Sequence, residues 1–264
     1  NLLTCFELYI LCKSVLFHDV GNLHDRRDHQ KKISKIYDEC SLEHKSSVWY
    51  EEKNAIISIC KAHCGESIEG DRDTIRYLNE YSRLQEHEIR IKVLASILRF
   101  ADELAEGPQR TSHYMMKNFL YDVNSIIFHR YAWMKNVGID RSHDRIRLSY
   151  NIPIEVDVVP NDGSIVLLSQ LSDFLSFIYK RIEKLNQERQ YAKHYCIYLS
   201  RFKSLVATLN FWYKEEQVVL DLNDIYMSDL VVPGEDPQKH ITERFVEYKE
   251  ERLIEIVADQ IKDM

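Results

Sequence analysis

Glycine and proline are scarce, at 7 and 5 in 264 residues. Both punctuate turns, so a chain this poor in them is expected to use long helices rather than many short strands. None of the six cysteines (Cys5, Cys12, Cys40, Cys60, Cys64, Cys196) forms a CxxC pair. In a chain of this size they read as reduced thiols, not a disulfide framework, which points to a cytoplasmic location. There is no Asn-x-Ser/Thr acceptor and no run approaching the ~20 apolar residues that a membrane helix needs. The apolar stretch Leu2 to Phe17 carries Glu7 and Lys13. It has no basic leader and no small-residue cleavage site, so it does not read as a signal peptide. Positive charge is in deficit, with 35 Lys and Arg against 42 Asp and Glu and a formal charge of −7. That argues against a protein that grips duplex nucleic acid through its phosphates, although a local basic patch remains compatible.

The remaining composition is ordinary for a globular protein, 45% hydrophobic and 29% charged. The length fits one large domain or two small ones. The chain opens on Asn and enters a helical pattern at once, as expected of a piece of a longer polypeptide. Tyrosine (16) and histidine (11) stand out.

Leu2, Leu3, Phe6, Tyr9, Ile10, Val15 and Leu16 recur at helical spacing and predict a largely buried helix stopped by Gly21. Asp28 is a cap for a second helix reaching about Cys40, and Ser46 or Ser47 for a third reaching His63. The capping-box pattern Ser82-Arg83-Leu84-Gln85 predicts a fourth helix that continues to Leu104 and ends at Gly107-Pro108. From about residue 120 the texture changes. Ser125 to Trp133 is rich in β-branched and aromatic residues. Asp144 to Ile152 alternates, with Ile146, Leu148 and Tyr150 on one face. Ile165 to Leu168 follows a turn at Asn161-Asp162-Gly163. Leu205 to Tyr213 and Gln217 to Leu222 suggest a hairpin through Lys214-Glu215-Glu216. Helices are expected over 171–190 and 242–262, the last a charged, solvated one. The expected architecture is mainly α: a helical domain over 1–120, then a smaller α+β part over 121–264, with strands in about 125–168 and 205–222.

Polar residues interrupt the helical half where apolar ones belong. His18 and Asp19 follow one buried helix, and Asp102 lies near the end of another. An ionised carboxylate in such surroundings needs a cation or several hydrogen bonds. His29 and His63 also lie near helix ends. Imidazole plus carboxylate is a ligand set for Mn, Fe, Ni or Zn. Spacing alone leaves this open, because a single helical histidine is more often a surface or satisfied residue, and Asp102 could simply pair with Arg99.

Leu16-Phe17-His18-Asp19-Val20-Gly21-Asn22 resembles the signature of the HD-domain metal-dependent phosphohydrolases. Ala95 to Leu104 (ASILRFADEL) is similar to the helix that supplies that family's final metal-binding Asp. Arg26-Arg27-Asp28-His29 and Lys61-Ala62-His63-Cys64-Gly65 resemble the two intermediate histidine motifs of its two-metal branches. The closest branch is the HD-CE type, associated with bacterial conflict systems, and the resemblance covers roughly residues 1 to 150. It implies a helical HD bundle that holds one or two divalent transition-metal ions. Asp19 would bridge them and activate the attacking water, His18 and Asp102 would complete one ion, and His29 and His63 the other. Two such ions acidify a water and neutralise phosphoryl charge. Lys61 would assist at the catalytic centre, and Arg26, Arg27, Arg99 and Asn22 would meet substrate phosphate. A solvated basic face is the plainer reading for at least two of these cations. The family places one more histidine upstream, and none of the 17 residues before His18 is His. Either that ligand belongs to sequence outside this chain, or the protein lacks it. Asn22 stands where many members carry lysine.

These observations leave several functions in view. The first is hydrolysis of a nucleotide or short phosphodiester. The second is a degenerate HD domain acting as a nucleotide-binding sensor or scaffold, in a larger protein or a homo-oligomer. The third is a metal-dependent single-strand nuclease, which the net negative charge disfavours. The other histidines, His24 among them, are assigned no function.

Overall fold

The structure is a computed structural model that describes residues 3–23, 29–40, 46–64, 70–156, 163–229, 239–262 and 264. It is mainly helical with a smaller sheet part. The chain forms two compact units, Asn1–Asp102 with Tyr191–Ser200, and Glu103–Gln190 with Arg201–Met264. Among the described residues no helix is long and apolar enough to cross a membrane.

The first unit begins with α1 (Cys5–Phe17), started by a capping box in which Thr4 and Glu7 satisfy each other's backbone amides. This helix is not largely buried as expected. Ile10 and Ser14 face the core, but Leu8, Val15 and Leu16 are 48%, 49% and 74% exposed. The helix is apolar around its whole circumference, so periodicity could not say which face is covered. Nor does Gly21 stop it. The helix ends at Phe17 with His18 as its C-cap, and Gly21 falls in a 3-10 turn, Val20–Leu23. Helix α2 (His29–Cys40) and helix α3 (Ser47–Ala62) follow, α3 with Ser46 accepting from the Trp49 amide as anticipated. Asp28 lies outside the described residues. Ile10, Ile33, Ile56, Ile59, Cys60, Ile89, Leu94 and Leu98 form the core of this unit.

The capping-box expectation at Ser82 fails. Tyr81–Leu84 (β1) and His87–Arg90 (β2) pair as an antiparallel hairpin, and α4 starts only at Ile91 and runs to Leu104. Leu84 and Ile89 point into the core from one face of the hairpin. One buried residue from each strand anchors the ribbon, and antiparallel pairing takes residues 81–90 out of the helix that the capping pattern announced. Arg90 then donates to both carboxylate oxygens of buried Glu7, at 2.6 Å each, which fixes the hairpin on α1.

The second unit holds α5 (His113–Lys117), α6 (Ile126–Met134), strands β3 (Lys135–Asp140), β4 (Arg145–Glu155) and β5 (Val166–Leu167), and most of α7 (Leu171–Tyr195). It also holds β6 (Ser204–Tyr213), β7 (Glu216–Val218), β8 (Ile225–Ser228), α8 (Ile241–Arg244) and α9 (Glu250–Lys262). The sheet runs β3-β4-β6-β7, with β5 also on β4 and β8 also on β6, and its two long strands β4 and β6 are parallel. The alternation of β4 is realised in full, with Ile146, Leu148, Tyr150, Ile152 and Ile154 buried. The segment expected to hold a strand is instead α6, with Ser125 as its N-cap. The Asp122 side chain accepts from the amides of Asn124 and Ser125, so a local cap starts a helical turn that β-propensity alone does not foresee. The expected terminal helix is broken at Phe245–Lys249 into α8, a 3-10 turn and α9.

Candidate metal centre

Two helices of the first unit end in a histidine. His18 is the C-cap of α1 and His63 the C-cap of α3. The last carbonyls of a helix lack intrahelical partners, and both imidazoles use one. His18 Nδ1 donates to the Val15 carbonyl at 2.7 Å, and His63 Nδ1 donates to the Cys60 carbonyl. Each bond spans three residues, and each commits Nδ1 to the helix end, so that Nε2 is the ring nitrogen that faces the carboxylates. This is the arrangement that orients a ligating histidine. The rings meet edge to face with centroids 5.0 Å apart.

The carboxylates approach both Nε2 atoms. His18 Nε2 is 3.5 Å from Asp19 Oδ2 and 3.6 Å from Asp102 Oδ1, and His63 Nε2 is 3.6 Å from Asp19 Oδ1. Asp19 therefore stands between the two histidines, in the turn just after α1. Asp102 reaches in from the last turn of α4. His63 is the most enclosed side chain at 6% exposure, and Asp19 the most open at 43%.

Electrostatics bind the group together. Burial opposes charge on both imidazoles. For His18 it is overruled by the Asp102 carboxylate and the Val15 carbonyl, and the pKa rises. For His63 it is overruled by Asp19, with Cys64 assisting, and the pKa is held up at about 10. His63 in turn holds the Asp19 carboxyl below its ordinary value. A proton and a metal cation thus compete for the same two nitrogens.

The residues fit a metal ion. His18 Nε2 is buried and makes no hydrogen bond. Bonds of ~2.0–2.2 Å to a tetrahedral ion put its ligands roughly 3.4 Å apart, close to the 3.5 and 3.6 Å separations seen here. Ligand atoms of His18, His63 and Asp102 all lie within 4.8 Å of one another.

The other expected site residues lie differently. Arg26 and Arg27 fall outside the described residues, as does the side chain of His29, although its backbone opens α2. Lys61 is exposed on the last turn of α3, and Asn22 is exposed in the turn after Asp19. Arg99 departs from the phosphate-binding expectation. It is buried, donating to the Cys64 carbonyl at 3.0 Å and to Thr74 Oγ1 at 2.9 Å, with the Tyr191 ring 4.4 Å from its guanidinium. Thr74 and Tyr191 carried no signal in the sequence, because both are distant along the chain and neither belongs to a local motif. Arg99 carried one, three residues before Asp102 and on the same helix face.

A family model described as HD-CE matches residues 1–184. The chain belongs to the HD-CE family. The match spans the segments that supply His18, Asp19, His63 and Asp102. HD domains generally bind divalent metals, and the donor set of this HD-CE chain is of the matching kind. No curated protein and no solved structure was found to match it.

Proposed function

We propose that this HD-CE protein is a metal-dependent phosphohydrolase acting on a nucleotide or a short phosphodiester. The observation that carries the reading is the pair of helix-end histidines whose Nδ1 atoms are spent on carbonyls, leaving both Nε2 atoms opposite Asp19 and Asp102. In this reading His18, Asp19, His63 and Asp102 hold a divalent transition metal such as Mn, Fe, Ni or Zn, and His29 serves a second ion. The metal supplies Lewis acidity toward a phosphoryl oxygen and acidifies a water.

The chain's own groups do the rest. The Val15 and Cys60 carbonyls keep each imidazole in one tautomer and one orientation. Asp19, the most solvent-open member, faces both histidines, and in this reading it orients the attacking water. Lys61, two residues before His63 in sequence and exposed, is assigned an ammonium role toward phosphate as a point charge. Arg26, Arg27 and Asn22 lie near Asp19 in sequence and are assigned to phosphate on that ground. Arg99 is not, because its guanidinium is already engaged.

The test is hydrolysis of bis-p-nitrophenyl phosphate and of a nucleotide panel with Mn²⁺, Ni²⁺ or Zn²⁺ added. Asp19→Ala and Asp102→Ala are each expected to reduce turnover at least ~100-fold. Undiminished turnover in both variants would remove the proposal. Tight nucleotide binding with no turnover in the parent chain would favour the sensor reading.

A further inference from the structure

Arg99 has no place in the chemistry just described, yet it is 7% exposed. Burying a guanidinium is costly unless it is well paired, and an apolar side chain of similar volume would fill the same space more cheaply. Its contacts give it a specific task. Arg99 donates to the carbonyl of Cys64 and to Thr74 Oγ1. The Thr74 hydroxyl in turn donates a hydrogen bond to the carbonyl of Ala62, at 2.6 Å. Ala62 and Cys64 are the two chain neighbours of His63. Helix α3 ends at Ala62, where the negative end of the helix dipole favours a cation. Tyr191 completes the support. Its ring faces the guanidinium, its hydroxyl donates to Asp73 at 2.8 Å, and the same oxygen accepts from the Ile75 amide at 3.0 Å. The segment that carries Thr74 is thereby fixed as well.

We infer that Arg99 and Thr74 are positioning residues of the metal centre. They clamp the peptide groups on both sides of His63, keep its Nε2 opposite Asp19, and tie that turn to the helix that delivers Asp102. The inference rests on the metal-centre reading above. Asp102 lies three residues after Arg99, so one face of α4 both supplies a ligand and aligns another.

The experiment is a Co²⁺ titration of the full chain, followed by the visible d–d bands, whose shape reports ligand geometry. Thr74→Val and Arg99→Met are expected to weaken Co²⁺ binding 10–100-fold and to alter the bands. Thr74→Ser, which keeps the hydroxyl, is expected to bind like the parent. If Arg99→Met lacks the parent's circular dichroism, the Thr74 pair decides. Unchanged affinity and unchanged bands in a folded Thr74→Val would overturn the positioning role. A parent chain that takes up no Co²⁺, or an Asp102→Ala variant that binds it equally well, would instead bring down the metal-centre reading and the clamp with it.

Discussion

Glu7 is 1% exposed on the inner face of α1, and Arg90 grips both its oxygens. Burial alone would raise its pKa. The Arg90 side chain and the Thr4 and Arg90 amides overrule that and hold the carboxyl down from 4.5 to about 2. A depressed carboxylate contributes stability that is present above its unfolded-state value and is lost as pH falls toward the folded one. The parent chain should therefore lose stability between about pH 4.5 and 2. Glu7→Gln should cost about 2 kcal/mol near neutral pH and almost nothing at the acid end. Urea unfolding across that range checks it, and a parallel pH profile for parent and variant would contradict it. The same scale shows what the sequence discloses about the centre. His18, Asp19, His63 and Asp102 are legible because each is a polar residue at the end of an apolar helical pattern, inside a family motif. Thr74 and Tyr191 are illegible because they act through backbone carbonyls that only the fold brings near. Arg99 is visible in the sequence, but its partner is not, and so its charge reads as a phosphate ligand.

At the scale of elements, β4 follows the alternation in the sequence, and the expected β6–β7 hairpin forms, although β7 stops at Val218 rather than continuing to Leu222. The hairpin turn needs only Lys214 and Glu215, because Glu216 already pairs with Tyr213. Both turn residues have positive φ, 46° and 69°, as a two-residue type I′ turn requires. Neither side chain favours that conformation. Glu215→Gly should raise stability by about 0.5–1 kcal/mol with an unchanged denaturant slope, and a loss of stability would count against this account of the turn. Elements hid where local propensity and context disagree. The segment Ser125–Trp133 has strand composition but an Asp122 cap, and residues 81–90 show a capping pattern but pair as a ribbon. Helix α1 is legible as a helix and not as a half-exposed one, because its apolar residues surround it.

For the whole molecule, the helical-then-α+β order is readable from texture and from the scarcity of glycine and proline. The return of Tyr191–Ser200 to the first unit is not, because it depends on long-range contacts. The net charge of −7 argues against a long strand held along a basic groove. The proposed metal centre of the first unit is built from the ends of α1, α3 and α4. Elemental analysis of the purified full chain, beside His63→Ala and Asp102→Ala prepared in the same way, tests it most directly. Near-stoichiometric Mn, Fe, Ni or Zn in the parent, falling to background in both folded variants, is the expected result. Equal metal content in all three proteins would contradict it.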